Sequence, residues 1–222
     1  LASVPTAGQP PADRSHFDLA AQEFIAAQRA NAERPEARTA LANFLARRGQ
    51  TADAEAEYKA ALGLSPQYAT AAINLADLYR QLGRDSDGEI VLRSAIAVSP
   101  DDAAAHYALG LNLTRLKRPE DALTELRRAM ELGSEQQRYA YVFAVALHSS
   151  GRRDDAIAVL NHALRSHPND RDILLALVEF TRAAGDMKAA LAYAERLATI
   201  DPEDQNLQKF IQELRRSSPP KP

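Results

Sequence analysis

The stretch ATAAINLADLYRQLGRDSDGEIVLRSAIAVSPDD, residues 69–102, contains two amphipathic runs of helical period on either side of Gly83, closed by Ser99 and Pro100. Working outward, the same marks recur. Pro66, Pro100, Pro168 and Pro202 stand at multiples of 34 (100 − 66 = 34, 168 − 100 = 68, 202 − 168 = 34), with Ser134 in the missing place. Gly49, Gly83, Gly151 and Gly185 keep that spacing, and Lys117 takes the third place. Ala54, Ala122, Ala156 and Ala190 form another series, with Gly88 as its exception. A last series is Ala61, Ala95, Ala129 and Ala163, ending in Leu197. Independent series do not fall on one period by chance. The chain reads as a tandem array of helix hairpins, none of which buries its apolar face without a neighbour.

Each series has a physical reason. Glycine ends the first helix of a copy (helix A) in a left-handed conformation, where a Cβ costs about 1–2 kcal/mol. Lys117 bears that cost unless Pro119 resets the turn. Proline stops the second helix, helix B. The small residues Ala42, Ala76, Gly110 and Ala144 let helices A and B approach closely, and Leu41, Leu75, Leu109, Phe143 and Leu177 supply large knobs. The spacing predicts hairpins over 35–68, 69–102, 103–136, 137–170 and 171–204. A capping helix follows over 205–216, with Leu207, Phe210, Ile211 and Leu214 on its inner face.

The two ends read differently. Residues 1–14, with Pro5, Pro10 and Pro11, are expected to be a disordered linker, and 217–222 a disordered tail. Within 15–34, Ser15 is expected to cap a helix from about residue 16 to 31. There Ala20, Phe24 and Ala27 match helix B places, so 15–34 is half a repeat without its helix A. The missing helix and a start at Leu1 lead to the expectation that the chain is the C-terminal part of a longer protein. Otherwise the lone helix serves as an N-terminal cap.

Composition bounds the function. Apolar residues make up 45% of the chain, yet Trp is absent and aromatics are 6%, so the core must rely on small side chains at close helix contacts. Basic and acidic residues, 27 and 30, are interspersed for a net charge of −3. With a pI near 6.0, that balance argues against a nucleic-acid partner. Cys is absent, which excludes disulfides, thiolate metal sites and covalent haem attachment within the chain. No apolar run approaches membrane-spanning length, so no membrane insertion is expected.

The small and large residues at these places resemble the tetratricopeptide repeat (TPR). The third copy reads YALG at 107–110, then Ala122, Leu126 and Ala129, and the second reads NLADLY at 74–79. The resemblance covers about 17–216. It implies an all-α, right-handed superhelix of about five hairpins, plus the half repeat and the cap, with A helices lining a concave groove. It also implies a non-catalytic scaffold that binds a protein or peptide. A narrower likeness concerns RYAYVFAVALHSSGRRDDAIAVLNHAL at 138–164 and HPNDRDILLAL at 167–177. This part is similar to the C-terminal TPR segment of proteobacterial multihaem cytochrome c proteins. It implies a periplasmic location, the alternative being cytoplasmic, with the haem modules upstream. No cofactor is expected in this chain, which has no CxxCH. Upstream domains of its own parent are then possible partners.

The inner face of the A helices is the candidate binding surface. It offers Thr39 and Asn43, then Ile73, Asp77 and Arg80, then Tyr107, Leu111 and Arg115. It continues with Arg138, Tyr141, Val145 and His148, and with Leu175, Glu179 and Arg182. Ile73, Tyr107, Leu111, Tyr141, Val145 and Leu175 are expected to form an apolar stripe edged by Arg80, Arg115, Arg138 and Arg182. Such a stripe marks a groove for a peptide or helix, unless the chain's own neighbours or a second copy in a homodimer cover it. The TPR groove that grips a C-terminal carboxylate needs two amides and flanking cations. Asn43 and Asn74 match the amides, but the cationic places hold Thr39, Ala104 and Ala108, so chaperone-tail binding is not expected.

Catalytic and metal chemistry find no support. His162 and His167 are five apart, not the three or four that put two ligands on one helix face. The histidines His16, His106, His162 and His167 read as surface or semi-buried residues, and His148 as a polar contact on the inner face. The carboxylates Asp85 and Asp87, Asp101 and Asp102, and Asp154 and Asp155 fall at turns or first helical turns, where anions cap free amides. Arg127-Arg128, Arg152-Arg153 and Arg215-Arg216 read as solvated pairs. No phosphate loop or nucleophile elbow is present, and no enzyme is expected.

Overall fold

The computed structural model describes residues 11–217, with side chains from Phe17 to Arg216. Among them every regular element is a helix. α1 is Pro11–Ala30, α2 Pro35–Arg47, α3 Thr51–Leu64, α4 Ala69–Gln81, α5 Asp85–Val98 and α6 Ala103–Arg115. α7 is Pro119–Leu132, α8 Gln137–Ser149, α9 Arg153–Ser166, α10 Arg171–Ala183, α11 Met187–Ile200 and α12 Gln205–Ser217. They fall into two compact units, α1 to α6 and α7 to α12, divided after Lys117. The fold is all-α, built from repeated helix pairs.

The pairing follows from the small residues. Ala42, Ala76, Gly110 and Ala144 are buried, as are the neighbouring knobs Leu41, Leu75, Leu109, Phe143 and Leu177. On the B helices Ala54 and Ala61, Gly88 and Ala95, Ala122 and Ala129, Ala156 and Ala163, and Ala190 and Leu197 are all buried. In the first unit α2 packs on α3, α4 on α5, and α5 on α6. One cluster there joins Leu41, Leu45, Ala54 and Tyr58 to Leu75, Leu78 and Tyr79. In the second unit α8 packs on α9, α10 on α11, and α11 on α12. The α12 residues Leu207, Ile211 and Leu214 are buried.

The turns repeat as well. Gly49, Gly83, Gly151 and Gly185 have φ between 70° and 83°. One residue past each, Gln50, Arg84, Arg152 and Asp186 donate their backbone N–H to the carbonyls of Leu45, Tyr79, Leu147 and Thr181, at 2.8 to 3.0 Å. That is the bond that closes a helix on a left-handed residue. Lys117 has φ 58°, so Pro119 does not spare it the left-handed conformation. At the start of the B helices Arg84, Arg118 and Arg152 reach Asp87, Asp121 and Asp155 at 2.6, 2.7 and 2.8 Å. Before the A helices, Asp102 and Asp170 accept the backbone N–H groups of Ala105 and Ile173 at 2.8 and 2.9 Å. These carboxylates are caps and turn ion pairs, as their places suggest.

Two features depart from the sequence reading. α1 begins at Pro11, not near residue 16, so 11–14 are helical and Ser15 is no cap. Proline suits the first position of a helix, where its missing N–H has no intrahelical partner to lose. The remainder of the expected linker (1–10) and all but the first residue of the expected tail (218–222) lie outside the described residues. The second departure explains Gly88. Asn112 stands where the neighbouring copy has Leu78 (112 − 34 = 78), and it is fully buried. Its Nδ2 donates to the Asp85 carbonyl at 3.0 Å, and its Oδ1 has no partner. A Cβ on Gly88 would lie 2.9 Å from that Nδ2. The exceptional glycine makes room for the exceptional asparagine.

Two measurements check this account. Lys117→Gly is expected to raise the stability in urea by about 1 kcal/mol, because glycine carries no penalty at positive φ. Gly88→Ala, although it restores the alanine of the series, is expected to cost about 1–3 kcal/mol by overpacking. In an Asn112→Ala background that loss is expected to shrink, which a double-mutant cycle reads directly.

Candidate functional site

In the first unit α2, α4 and α6 lie side by side, α4 touching both of the others. A helical pitch of 3.6 residues puts Asn43 of α2 and Asn74 and Asp77 of α4 on their shared surface. They line a cavity of about 190 Å³, together with Ala46, Arg47, Tyr58, Leu78 and Gln81. The cavity is held by side-chain hydrogen bonds. Tyr58 Oη donates to Asn43 Oδ1 at 2.5 Å, and Asn74 Nδ2 donates to the same oxygen at 3.1 Å. Burial, with the nearby Asp77 charge, pushes the Tyr58 phenol up to about 12, so it stays a donor. Arg80 and Gln81 donate to the two Asp77 oxygens at 2.7 and 2.9 Å. Burial opposes the charge on Asp77, but these two bonds outweigh it and lower its pKa.

The apolar residues expected on this surface, Ile73, Tyr107 and Leu111, are half-buried. Arg80 and Arg115, expected to edge the stripe, are exposed, and each is bound to a carboxylate, Asp77 and Asp85, at 2.7 Å. Thr39 stands in the place of Ile73 and Tyr107 but is buried, too short to reach solvent, and its Oγ1 has no partner. The contributions of Arg47, Tyr58 and Gln81 were not foreseen. A signal for Tyr58 existed, since a phenol stands where the next copies have Leu92, Leu126 and Leu160.

In the second unit α8 touches α10. Val145 of α8 and Leu175 of α10 are exposed, as are Arg138, Glu179 and Arg182, and Tyr141 is half-buried. His148 is no open polar contact. Its ring stacks on Phe180, centroids 4.0 Å apart and planes 6° apart, and its Nε2 is buried without a partner. His106 is also buried, with its Nε2 2.9 Å from the Pro100 carbonyl oxygen.

Three tetratricopeptide repeat models match the sequence: one over residues 45–111 and 147–214, a second over 12–69 and a third over 109–172. The chain belongs to the tetratricopeptide repeat family. No curated protein matches it in sequence. Among solved structures, it is similar to YrrB, described as a TPR protein with an unusual peptide-binding site, at 23% identity and a TM-score of 0.63. That match covers 86% of this chain and 97% of YrrB. It is also similar to pilF of Pseudomonas aeruginosa, at 20% identity and a TM-score of 0.64, covering 90% of this chain and 91% of that one. MamA matches at 18% identity with a TM-score of 0.65, covering 78% and 94%. At these identities the likeness shows the fold.

Within the TPR frame the carboxylate grip stays incomplete. Asn43 and Asn74 hydrogen-bond to each other, and of the cationic places Thr39 is buried while Ala104 and Ala108 carry no charge. A different charged knot ties the first two TPR hairpins. Glu55 of α3 accepts from Lys59 at 2.6 Å, from Tyr79 Oη at 2.9 Å and from Arg84 at 2.8 Å. The Arg84 guanidinium also lies 4.4 Å from the centroid of the Tyr79 ring. Lys59, and then Arg84 and Tyr79, overcome burial and hold the Glu55 carboxyl at about 2, below its ordinary 4.5.

A lowered folded-state pKa means that the carboxylate contributes stability above its unfolded value and loses it as pH falls towards the folded one. The chain is therefore expected to lose stability between about pH 4.5 and pH 2 through this group. Glu55→Gln, less stable at neutral pH, is expected to lose less over that window. Urea midpoints measured at stepped pH values check it.

Proposed function

We propose that this chain is a non-catalytic scaffold that binds an extended segment of another polypeptide along the α2–α4–α6 face of its first unit. The cavity over Asn43 and Asn74 carries this reading. Its polar lining has hydrogen-bonding capacity left over: Asn43 uses only its Oδ1 within the chain, and Asn74 keeps its own Oδ1. An extended peptide presents one donor and one acceptor per residue, which is the complement of two side-chain amides. The half-buried Ile73, Tyr107 and Leu111 beside them offer apolar contact to side chains of such a segment. The family supports the same reading, since TPR domains bind proteins or peptides. With Arg80 and Arg115 each paired to a carboxylate of the chain, recognition rests on hydrogen bonds and apolar area more than on net charge.

The test begins with random twelve-residue peptides displayed on phage and selected on the chain. Enriched peptides are then titrated by fluorescence anisotropy. Asn43→Ala and Tyr107→Ala are each expected to weaken binding at least tenfold, about 1.4 kcal/mol. Ile90→Ala, at a side chain 64% exposed on α5, is expected to leave it unchanged. Circular dichroism checks that the variants are folded. Peptides whose affinity ignores both groove substitutions would show that this face is not the site.

A further inference from the structure

α1 is a B helix in register. It ends at Ala30, and α3, α5, α7, α9 and α11 end at Leu64, Val98, Leu132, Ser166 and Ile200, each 34 residues on (64 − 30 = 34). Two things set it apart. In α3 the places of Ala20 and Ala27 are Ala54 and Ala61, sealed in the hairpin with α2, and the same two places are buried in every other B helix. In α1 both alanines are exposed, and beside them Leu19 is 56% exposed where the next four copies have Asp53, Asp87, Asp121 and Asp155. Secondly, α1 starts at Pro11, while the register start is residue 17 (51 − 34 = 17). Six further helical residues run straight through the place where a complete hairpin turns.

We infer that this open face of α1 docks an amphipathic helix of a partner protein, in the way α2 covers α3. The chain itself shows the chemistry required. Each A helix in it has 13 residues. α2 presents Leu41 and Ala42 to the hairpin, and its Arg38 donates to Glu57 of α3 at 2.8 Å. Glu57 stands 34 residues after Glu23, which is exposed and has no ion-pair partner among the described residues. The partner helix therefore carries a basic residue, then three and four places on a large apolar residue and a small one. The C-terminal helix of a second copy does not qualify. Although α12 is in A register, it has Gln208 in the place of Arg38 and Gln212 in the place of Ala42 (38 + 170 = 208, 42 + 170 = 212). Nor does a tight turn in this chain deliver the helix, because α1 is helical where that turn would lie.

The probe is a fluorescent peptide of residues 35–50, which has the required pattern, linked between Glu36 and Ala40 to hold it helical. Those two places lie opposite Arg38, Leu41 and Ala42 on a helix of 3.6-residue period. Titrated with the full chain, it is expected to bind saturably, and Ala27→Lys in the chain is expected to raise Kd at least tenfold. Ala27 is exposed and lysine favours helix, so that variant keeps its fold. Glu23→Lys is expected to weaken binding, and Arg38→Glu in the peptide to restore it. Tyr107→Ala is expected to change nothing, which separates this face from the peptide groove. Absence of saturable binding at millimolar chain would overturn the proposal, as would affinity indifferent to Ala27→Lys. Light scattering that showed self-association abolished by Ala27→Lys would replace the partner helix with a second copy.

Discussion

The contact on which this structure depends is the close approach of two helices at a small side chain. Ala42, Ala76, Gly110 and Ala144 are buried beside large knobs. A helix surface with a notch and a bump is complementary to a neighbour only in one register. That requirement imposes the period of 34 on everything else: the glycine that lets the chain reverse, the proline that stops it, and the charged pairs at each reversal. It also means that a single hairpin is incomplete. Its outer surface is apolar until the next hairpin covers it, so the end helices must be exceptions.

The two ends solve that problem unequally. α12 buries Leu207, Ile211 and Leu214 and turns Gln, Glu and Arg outwards. α1 buries Ala21 but leaves Leu19, Ala20 and Ala27 exposed. One end is closed by its composition, and the other keeps the surface of an interior helix.

Periodicity made the helices, their order and the core legible, because each depends on a residue type repeated at a fixed interval. Lys117 was legible for the same reason, as an L-residue at a glycine place. What stayed hidden depends on pairs of side chains. Asn43 and Tyr58 are 15 residues apart and meet only once α2 and α3 have paired. Arg115 and Asp85 are 30 apart, and their ion pair ties an expected rim cation to a carboxylate of the neighbouring helix. His148 lost its polar role to Phe180, 32 residues later (180 − 148 = 32). The start of α1 was missed for a local reason: Pro10 and Pro11 read as breakers, although one proline at a first helical position is a start.

The double acceptance at Asn43 Oδ1 has one further consequence. A side-chain amide free to rotate would surrender that freedom when a ligand arrived, at roughly 0.5–1.5 kcal/mol for an immobilised side chain. Here Tyr58 and Asn74 have already fixed its orientation during folding, with the oxygen turned towards them and the NH₂ group left to donate. The entropy is spent before encounter, so this amide is preorganised, and its rotamer need not be selected anew by each ligand that reaches it.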